Sequence, residues 1–269
     1  MTTTPAAPAD RPKFDNHGQY SRTSILRYEM IFGANYISTG GARTTDDLCA
    51  RLGSSLRKGV RVLDVGSGIG GAAFHLAKTY GAKVIGIDLA EEMVAVAHER
   101  AAQLGMTDSV QFILGDVLEE QFAEPFDIIW SRDAFMHIPD KARLFSRLYS
   151  LMSPGGRLVI TDYARGKKPA SPEFEKYIID TGYNVVTPAE YGRLLEAAGF
   201  VDVIVDDATP RFLEILKSET GRLIDHPQEF LASFTESDLK YLVDRWEMKV
   251  GFCNNGDMKW GNYVATKKG

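Results

Sequence analysis

The chain has 269 residues, a length that favours one α/β domain with insertions over two tandem domains. It carries 31 Lys and Arg against 36 Asp and Glu, a net charge of -5, and so lacks the surplus of cations that binds nucleic acid or anionic membranes. No apolar run approaches the roughly 20 residues of a membrane helix. We therefore expect a cytoplasmic protein, a monomer or weak homo-oligomer, without nucleic-acid or membrane partners.

The N-terminal region divides into two parts. Residues 1–13 are rich in Thr, Ala and Pro and offer little apolar surface, which predicts a disordered tail. Residues 20–37 are rich in large apolar side chains and predict a packed helical segment that ends in a Ser-Thr-Gly-Gly turn. The run Thr44-Thr45-Asp46 then supplies N-cap candidates for a second helix, which we expect to extend to about Leu56.

Residues 60–163 alternate between short β-branched runs and segments of helical length. This alternation is typical of βαβ units that build a mainly parallel sheet. The predicted strands are Val60–Val65, Lys83–Asp88, Val110–Ile113, Phe126–Trp130 and Arg157–Thr161, and the clearest helices are Gly71–Tyr80 and Glu91–Leu104.

Beyond residue 163 the pattern predicts more helices and two more strands. Thr187, Pro188 and Glu190 form a helix start, with Thr at the N-cap, Pro at N1 and Glu at N3, and Gly199 is a natural C-cap. The other predicted helices cover residues 173–179, 211–224 and 235–249, and the strands cover 201–205 and 261–266. The sheet therefore gains two strands at the C-terminal end of the chain.

A glycine-rich turn follows the first predicted strand. In the segment Val65-Gly66-Ser67-Gly68-Ile69-Gly70-Gly71 the glycines remove Cβ atoms where the strand turns into a helix, and the helix N-terminus offers free N–H groups to a polar ligand. Gly66, Gly68 and Gly71 also satisfy the G-x-G-x-x-G pattern of dinucleotide sites, with Asp88 at about the distance of the acid that binds ribose. A nicotinamide-dependent dehydrogenase is therefore one interpretation of this turn.

Three acidic residues favour a different ligand. Asp64 precedes the glycines, Asp88 ends the second strand, Asp116 ends the third, and a Pro-Gly-Gly turn precedes the fifth. Together these features resemble the class I S-adenosylmethionine-dependent methyltransferases. That resemblance implies a Rossmann-like α/β fold with a seven-stranded, mostly parallel sheet in the order 3-2-1-4-5-7-6. It also implies that Asp88 binds the ribose hydroxyls of S-adenosylmethionine and that Asp116 binds the adenine amine.

Further motifs resemble one family within this class, the phosphoethanolamine N-methyltransferases. The motifs are Gln19-Tyr20, the stretch from Tyr28 to Gly41, Ser131-Arg132-Asp133-Ala134 with His137, Thr161-Asp162-Tyr163, and Trp246 and Lys249 with Trp260-Gly261. The resemblance extends from about Gln19 to Lys267. It implies S-adenosylmethionine as the cofactor and a small polar amine, above all phosphoethanolamine, as the methyl acceptor.

The family resemblance also implies a division of the chain and a set of site residues. Residues 14–45 would form an N-terminal helical lid, 46–163 the cofactor-binding core, and 164–269 a substrate cap with the last two strands. The implied cofactor-binding residues are Gln19, Ile37, Ser38, Asp64, Gly66, Gly68, Asp88, Leu89, Asp116, Val117 and Arg132. The implied catalytic residues are Tyr20, Asp133 and His137, the implied substrate-binding residues are Tyr28, Tyr163, Thr181, Tyr183 and Lys249, and no metal is required.

One position departs from the family pattern. The family has an arginine, which helps to hold the phosphate of the acceptor, two residues before the tyrosine matched by Tyr183, and this chain has Thr181 there. Threonine supplies one hydroxyl and no charge, so methylation of a carboxylate-bearing amine or a sulfur compound stays an alternative. A cofactor-binding protein without turnover is less consistent with the intact set of Tyr20, Asp133 and His137.

Asp133 and His137 are spaced i, i+4, which places both side chains on one face if the segment is helical. The carboxylate would then fix the tautomer of the imidazole and raise its basicity. The pair follows a predicted central strand, beside the crevice where open α/β sheets bind ligands. Because a primary ammonium must lose a proton before it can accept a methyl group, we expect this pair to act as the general base.

Overall fold

The computed structural model describes residues 20–166 and 169–269, so the tail predicted for residues 1–13 and the first six residues of the predicted lid lie outside the described residues. The strands are β1 (Arg61–Val65), β2 (Lys83–Asp88), β3 (Val110–Leu114), β4 (Phe126–Arg132), β5 (Met152–Arg165), β6 (Phe200–Asp207) and β7 (Met258–Lys267). The helices are α1 (Arg22–Phe32), α2 (Gly41–Leu52), α3 (Gly71–Tyr80), α4 (Glu91–Gln103), α5 (Lys141–Leu151), α6 (Pro172–Thr181), α7 (Pro188–Ala197), α8 (Thr209–Asp225), α9 (Pro227–Leu231) and α10 (Glu236–Asn254).

The strands form one sheet in the order β3-β2-β1-β4-β5-β7-β6, which confirms the predicted order. Strands β1 to β5 pair in parallel, while β7 runs antiparallel to both β5 and β6. The carboxyl ends of the parallel strands therefore lie at one end of the sheet. The strand order reverses at β1, because β2 and β3 lie on one side of it and β4 and β5 lie on the other. Open α/β sheets bind ligands in the crevice at such a reversal.

Both faces of the central strands are buried, which explains why their sequences are continuously apolar. In β1, Val62 packs into a cluster with side chains of α2, α3 and α4, whereas Leu63 packs on the opposite face with side chains of α5 and α7. Successive side chains of a strand point to opposite faces, so one short apolar run serves both layers. The result is a sheet covered by helices on both sides.

A third cluster joins the N-terminal helix to the C-terminal cap. It is rich in aromatic side chains, and its members include Tyr28 of α1, Phe174 of α6, Phe212 of α8, Trp246 of α10 and Trp260 of β7. Ion pairs link α1 to its neighbours: Arg27 contacts Asp238 of α10 at 2.6 Å, and Arg100 of α4 contacts Glu29 at 3.1 Å. None of the helices within the described part of the chain is long and apolar enough to cross a membrane.

The start of α2 differs from the sequence prediction. The helix begins at Gly41, with Gly40 as the N-cap at φ 73°, and Thr44 and Thr45 are buried inside it. The hydroxyl of Thr45 donates to the carbonyl of Gly41 instead of capping an N-terminus. Glycine adopts a left-handed conformation at little cost, so the preceding turn can lead into the helix without a side-chain cap.

The segment after β4 also differs from the prediction, because Asp133 and His137 do not lie on one helix. Asp133 has φ 49°, in the left-handed region, and residues Phe135–His137 form a single 3₁₀ turn. A non-glycine residue at positive φ is uncommon, although aspartate tolerates it better than most. The i, i+4 argument therefore does not apply to this pair.

The predicted N-cap of α7 is confirmed and provides a test of the fold. The hydroxyl of Thr187 accepts a hydrogen bond from the amide of Glu190, and Pro188 occupies the first helical turn. Thr187→Ala should lower the free energy of unfolding by about 1 kcal/mol, measured by urea denaturation, because one helix amide loses its acceptor. Thr187→Ser, which keeps the hydroxyl, should stay close to wild type; equal losses in both variants would contradict the capping role.

Candidate active site

A cleft opens at the carboxyl ends of the parallel strands, between the sheet and a roof made of α1, the segment that follows it, and α10. The predicted site residues that line it are Tyr20, Tyr28, Ile37, Ser38, Asp64, Gly66, Gly68, Asp88, Leu89, Asp116, Val117, Arg132, Asp133, His137, Tyr163, Tyr183 and Lys249. Thr181 is not among the lining residues, and Gln19 lies outside the described part of the chain.

The glycine-rich turn forms the floor of one end of the cleft. Gly66 and Gly68 have φ 71° and 53°, and a Cβ atom at Gly66 would lie 2.3 Å from the Cβ of Ala134. A Cβ atom at Gly68 would lie 2.7 Å from Cδ1 of Ile37. Side chains are therefore excluded at both positions, and Ile37 lies directly over the turn.

Asp88 and Asp116 lie at the ends of neighbouring strands beside this turn. The Asp88 carboxylate accepts from the Gly68 amide at 2.8 Å through Oδ2 and from the Ala90 amide at 2.9 Å through Oδ1. Asp116 accepts from the amide of Leu118 at 2.9 Å. Each carboxylate oxygen has more than one acceptor site, so both residues can also accept hydrogen bonds from a ligand.

Asp64 is a buried acid at the same end of the cleft. Its Oδ2 atom is buried and has no hydrogen-bond partner among the described residues. Burial raises the pKa of this carboxyl to about 7, although the nearby Arg132 acts to lower it. A buried carboxylate oxygen that faces a cleft without a donor is suited to a cationic or hydrogen-bond-donating ligand group.

The lid loop, residues Ser38 to Gly41, is held from two sides. The amide of Thr39 donates to Oδ2 of Asp133 at 3.0 Å, and the amide of Gly40 donates to Oε1 of Glu219 on α8 at 2.9 Å. Both carboxylates belong to elements outside the loop, one at the end of β4 and one in the cap. The loop is therefore fixed between the sheet and the cap.

Arg132 is a further anchor of the same loop. Its guanidinium donates to the carbonyl of Gly41 at 2.8 Å, to Oγ1 of Thr45 at 2.7 Å and to the carbonyl of Thr39. Arg132 is buried and lines the cleft, but these three bonds direct its Nη atoms toward the loop. The structure thus gives Arg132 a positioning role beside its predicted place at the cofactor.

His137 contacts Tyr20 instead of Asp133, the partner that the sequence spacing predicted. The Tyr20 hydroxyl lies 2.9 Å from Nε2 of His137. The remaining oxygen of Asp133 accepts from Thr161 Oγ1 at 3.0 Å and from Trp260 Nε1 at 2.8 Å. The predicted pairing of the Asp133 carboxylate with the imidazole is therefore wrong, since that carboxylate binds the lid loop and β7 instead.

The imidazole of His137 is uncharged near neutral pH. Burial, followed by the charge of Lys141, lowers its pKa to about 4. Lys141 is itself buried and donates to the carbonyls of Phe135, Ile138 and Asn184, which fixes the turn that carries His137. Burial also raises the pKa of the Tyr20 phenol well above its usual value, so both members of the pair are neutral.

The other end of the cleft is lined with tyrosines. Tyr28, Tyr163 and Tyr183 are buried there, and Nζ of Lys249 donates to the Tyr163 hydroxyl at 3.0 Å. The Lys249 ammonium also lies 4.4 Å from the centre of the Trp246 ring. Burial, together with a second cation, Arg245, lowers the pKa of Lys249 to about 7.

Two positions at this end differ from the sequence expectation. Thr181 ends α6, and its hydroxyl donates to the carbonyls of Tyr177 and Ile178 in its own helix, so the structure does not support a contact with an acceptor. Arg245 lines the cleft and was missed by the motif argument. Its spacing of four residues from Lys249 places both cations on one helical face, a signal that the sequence contains.

Comparison with known proteins identifies the family. Residues 56–199 match a family model described as a methyltransferase domain. The chain is 43% identical over 256 residues to phosphoethanolamine N-methyltransferase 1 of Triticum aestivum, a match that covers 95% of this chain and 51% of that protein. It is 34% identical over 258 residues to phosphoethanolamine N-methyltransferase of Plasmodium falciparum, covering 94% of this chain and 95% of that protein.

A solved structure supports the same family assignment. Phosphoethanolamine N-methyltransferase 2 of Haemonchus contortus, in complex with phosphomonomethylethanolamine and S-adenosylhomocysteine, superimposes with a TM-score of 0.91 at 35% identity and covers 94% of this chain and 59% of that one. The fold and the matched model define a class I methyltransferase. The chain belongs to the phosphoethanolamine N-methyltransferase family, and it spans about half the length of the plant relatives, 51% of the Triticum protein. The dehydrogenase interpretation of the glycine-rich turn is therefore wrong.

The protonation state of His137 predicts a pH dependence of stability. The imidazole titrates near pH 6.5 in the unfolded chain and near 4 in the folded protein. Between these values the unfolded state binds more protons, so this residue's contribution to the free energy of unfolding decreases as the pH falls from about 6.5 to about 4.

His137→Gln, which carries no titrating group, should lose less stability on acidification than the wild type. The difference between the two proteins should change by about 2 kcal/mol between pH 7 and 4.5, measured by urea denaturation at each pH. Parallel pH profiles for the two proteins would contradict a buried, neutral imidazole.

Proposed function

We propose that this chain transfers a methyl group from S-adenosylmethionine to the amine nitrogen of phosphoethanolamine or a closely related phosphobase. One observation carries the proposal: a single cleft joins a glycine-rich, acid-lined end to a tyrosine-lined end that contains two cations, and Tyr20, Asp133 and His137 lie within it. Membership of the phosphoethanolamine N-methyltransferase family supports the same assignment. The cytoplasmic location and the monomeric or weakly associated state stay predictions.

The acid-lined end fits S-adenosylmethionine. The unpartnered oxygen of Asp64 is suited to the ammonium of the methionine part, and Asp88 retains acceptor capacity for the ribose hydroxyls. Asp116 can accept from the adenine amine, beside the apolar side chains of Leu89 and Val117. When bound, S-adenosylmethionine supplies an electrophilic methyl group on a positively charged sulfur.

The tyrosine-lined end lowers the cost of exposing a nitrogen lone pair. A free primary ammonium has a pKa like that of lysine, about 10.4, which is roughly three units above neutral pH. Removal of its proton at neutral pH therefore costs about 4 kcal/mol. In this cleft the Lys249 ammonium has a pKa of only about 7, because of burial and the neighbouring Arg245. An acceptor ammonium in the same cavity is subject to the same burial, so a larger fraction of it is unprotonated at neutral pH.

The neutral Tyr20 and His137 pair can receive the proton that the nitrogen loses. If the phenol donates to Nε2 of His137, its oxygen accepts from the acceptor's N–H group, and the proton passes from nitrogen to Tyr20 as the phenolic proton passes to His137. Because the pKa of His137 is about 4, the imidazole does not keep this proton near neutral pH, and the pair relays it onward. Asp133 contributes a fixed negative charge at the end of β4, held by Thr161, Trp260 and the lid loop. Its charge stabilises the positive charge that the nitrogen gains when the methyl group is transferred.

The proposed reaction can be tested directly. Purified protein should convert phosphoethanolamine to methylated product with labelled S-adenosylmethionine, and calorimetry should detect binding of S-adenosylhomocysteine but not of NADH. Glycine, sarcosine and a thioether serve as competing acceptors in the same assay. Preferential methylation of one of these, with phosphoethanolamine unreactive, would contradict the proposed acceptor while keeping the enzyme class.

The proton-accepting pair predicts a separation of turnover from cofactor binding. His137→Gln and Tyr20→Phe should each lower kcat on the order of 10²-fold and leave the Kd of S-adenosylhomocysteine nearly unchanged. His98→Gln, which replaces an exposed histidine of α4, is the matched control and should turn over like the wild type. Wild-type turnover in both site variants would remove the pair from the mechanism.

A further inference from the structure

Arg245 is a cation for which the described part of the chain supplies no anionic partner. Its Nε atom is buried without a hydrogen-bond acceptor among the described residues, and the side chain lines the tyrosine end of the cleft. Two acidic residues of α10 are paired elsewhere: Asp238 with Arg27 at 2.6 Å and Asp244 with Lys240 at 2.8 Å. A buried charge is costly unless it is paired, so the arrangement favours an external anion.

Phenols surround this guanidinium. Its central carbon lies 5.6 Å from the centre of the Tyr241 ring, and the phenols of Tyr28, Tyr177 and Tyr183 are close enough to act on its charge. Burial acts to lower the pKa of Arg245, but these phenols act against it and the net shift is upward. The residue is therefore a permanent cation with neutral hydrogen-bond donors around it.

Lys249 cannot supply that permanent charge alone. Its pKa of about 7 leaves it close to half protonated at neutral pH, and its ammonium already donates to Tyr163. A phosphate monoester carries about −1.5 to −2 charges at pH 7, and a planar guanidinium can give it two parallel hydrogen bonds. Arg245 and Lys249 lie one helical turn apart and both line the cleft.

We propose that Arg245 binds the phosphate of the acceptor and, with Lys249, makes the site selective for phosphorylated amines. This inference rests on the proposed function and adds to it the residue that recognises the anionic end of the substrate. The cation is thereby supplied by α10 rather than by α6, where the hydroxyl of Thr181 is bonded to its own helix. An amine without a phosphate would leave the charge of Arg245 unpaired.

The test compares phosphoethanolamine binding in the wild type, Arg245→Gln and Arg245→Lys, each saturated with S-adenosylhomocysteine, by calorimetry. Arg245→Gln should raise the Kd of phosphoethanolamine roughly ten- to a hundredfold, the range expected for loss of a charge-assisted bond. Arg245→Lys keeps the charge without the planar fork and should give an intermediate loss. The Kd of S-adenosylhomocysteine and the thermal midpoint should stay at wild-type values in both variants.

Arg193→Gln is the matched control, because Arg193 is an exposed arginine of α7 outside the cleft. It should bind phosphoethanolamine like the wild type. A Kd within twofold of wild type for Arg245→Gln, or an equal loss in Arg193→Gln, would overturn the assignment of Arg245. Inorganic phosphate should compete with phosphoethanolamine in the wild type and compete less well in Arg245→Gln; equal competition would also overturn it.

The experiments distinguish failure of the proposed function from failure of the phosphate site at Arg245. Wild-type protein that binds phosphoethanolamine through Arg245 but transfers no methyl group to it would contradict the function and support the phosphate site. Wild-type protein that methylates phosphoethanolamine, with kcat/KM unchanged in Arg245→Gln, would support the function and overturn the phosphate site.

Discussion

Two neighbouring amides of the lid loop, those of Thr39 and Gly40, donate to carboxylates that belong to opposite parts of the molecule. Asp133 reaches the loop from the end of β4, and Glu219 reaches it from α8 in the cap. Each carboxylate is held by an indole as well, Asp133 by Trp260 and Glu219 by Trp246. Burial raises the pKa of Glu219 to about 7, so that acceptor is only partly charged near neutral pH. A hydrogen bond to a charged acceptor is worth roughly 1.5–3 kcal/mol and one to a neutral acceptor about 1 kcal/mol, so the two bonds together hold the loop firmly.

The rest of the site depends on this double attachment. With the loop fixed, Ile37 lies over Gly68 and closes the glycine-rich end of the cleft, and α1 carries Tyr28 to the tyrosine-lined end. The burial that results shifts four pKa values toward the neutral form of the side chain: upward for Tyr20 and Asp64, and downward for His137 and Lys249. The same burial lowers the cost of an unprotonated acceptor nitrogen.

The sheet could be predicted from the sequence because its signals are local. The β-branched runs, the glycine-rich turn and the Thr187 cap each lie within a few residues, and the strands and the cap agree with expectation. The order of the strands, which the structure confirms, was implied by the family resemblance and not by local signals. The contacts of Asp133 and His137 could not be predicted from spacing, since one left-handed residue after β4 redirects the chain. Family motifs led to Thr181 but not to Arg245, although its spacing of four residues from Lys249 is a signal that the sequence contains. That the Thr181 hydroxyl is bonded to its own helix is visible only in three dimensions.

Amide hydrogen exchange of Thr39 and Gly40 in the protein without ligands tests the central attachment most directly. If both amides donate to carboxylates, their exchange should be slowed to rates like those of amides in the central strands. The same two amides should exchange markedly faster in Asp133→Asn and in a Glu219→Gln variant, respectively, because an amide side chain has one acceptor oxygen where each carboxylate uses two. Exchange at the rate of an unstructured chain in the wild type would contradict the account, since the loop would then not be held by Asp133 and Glu219.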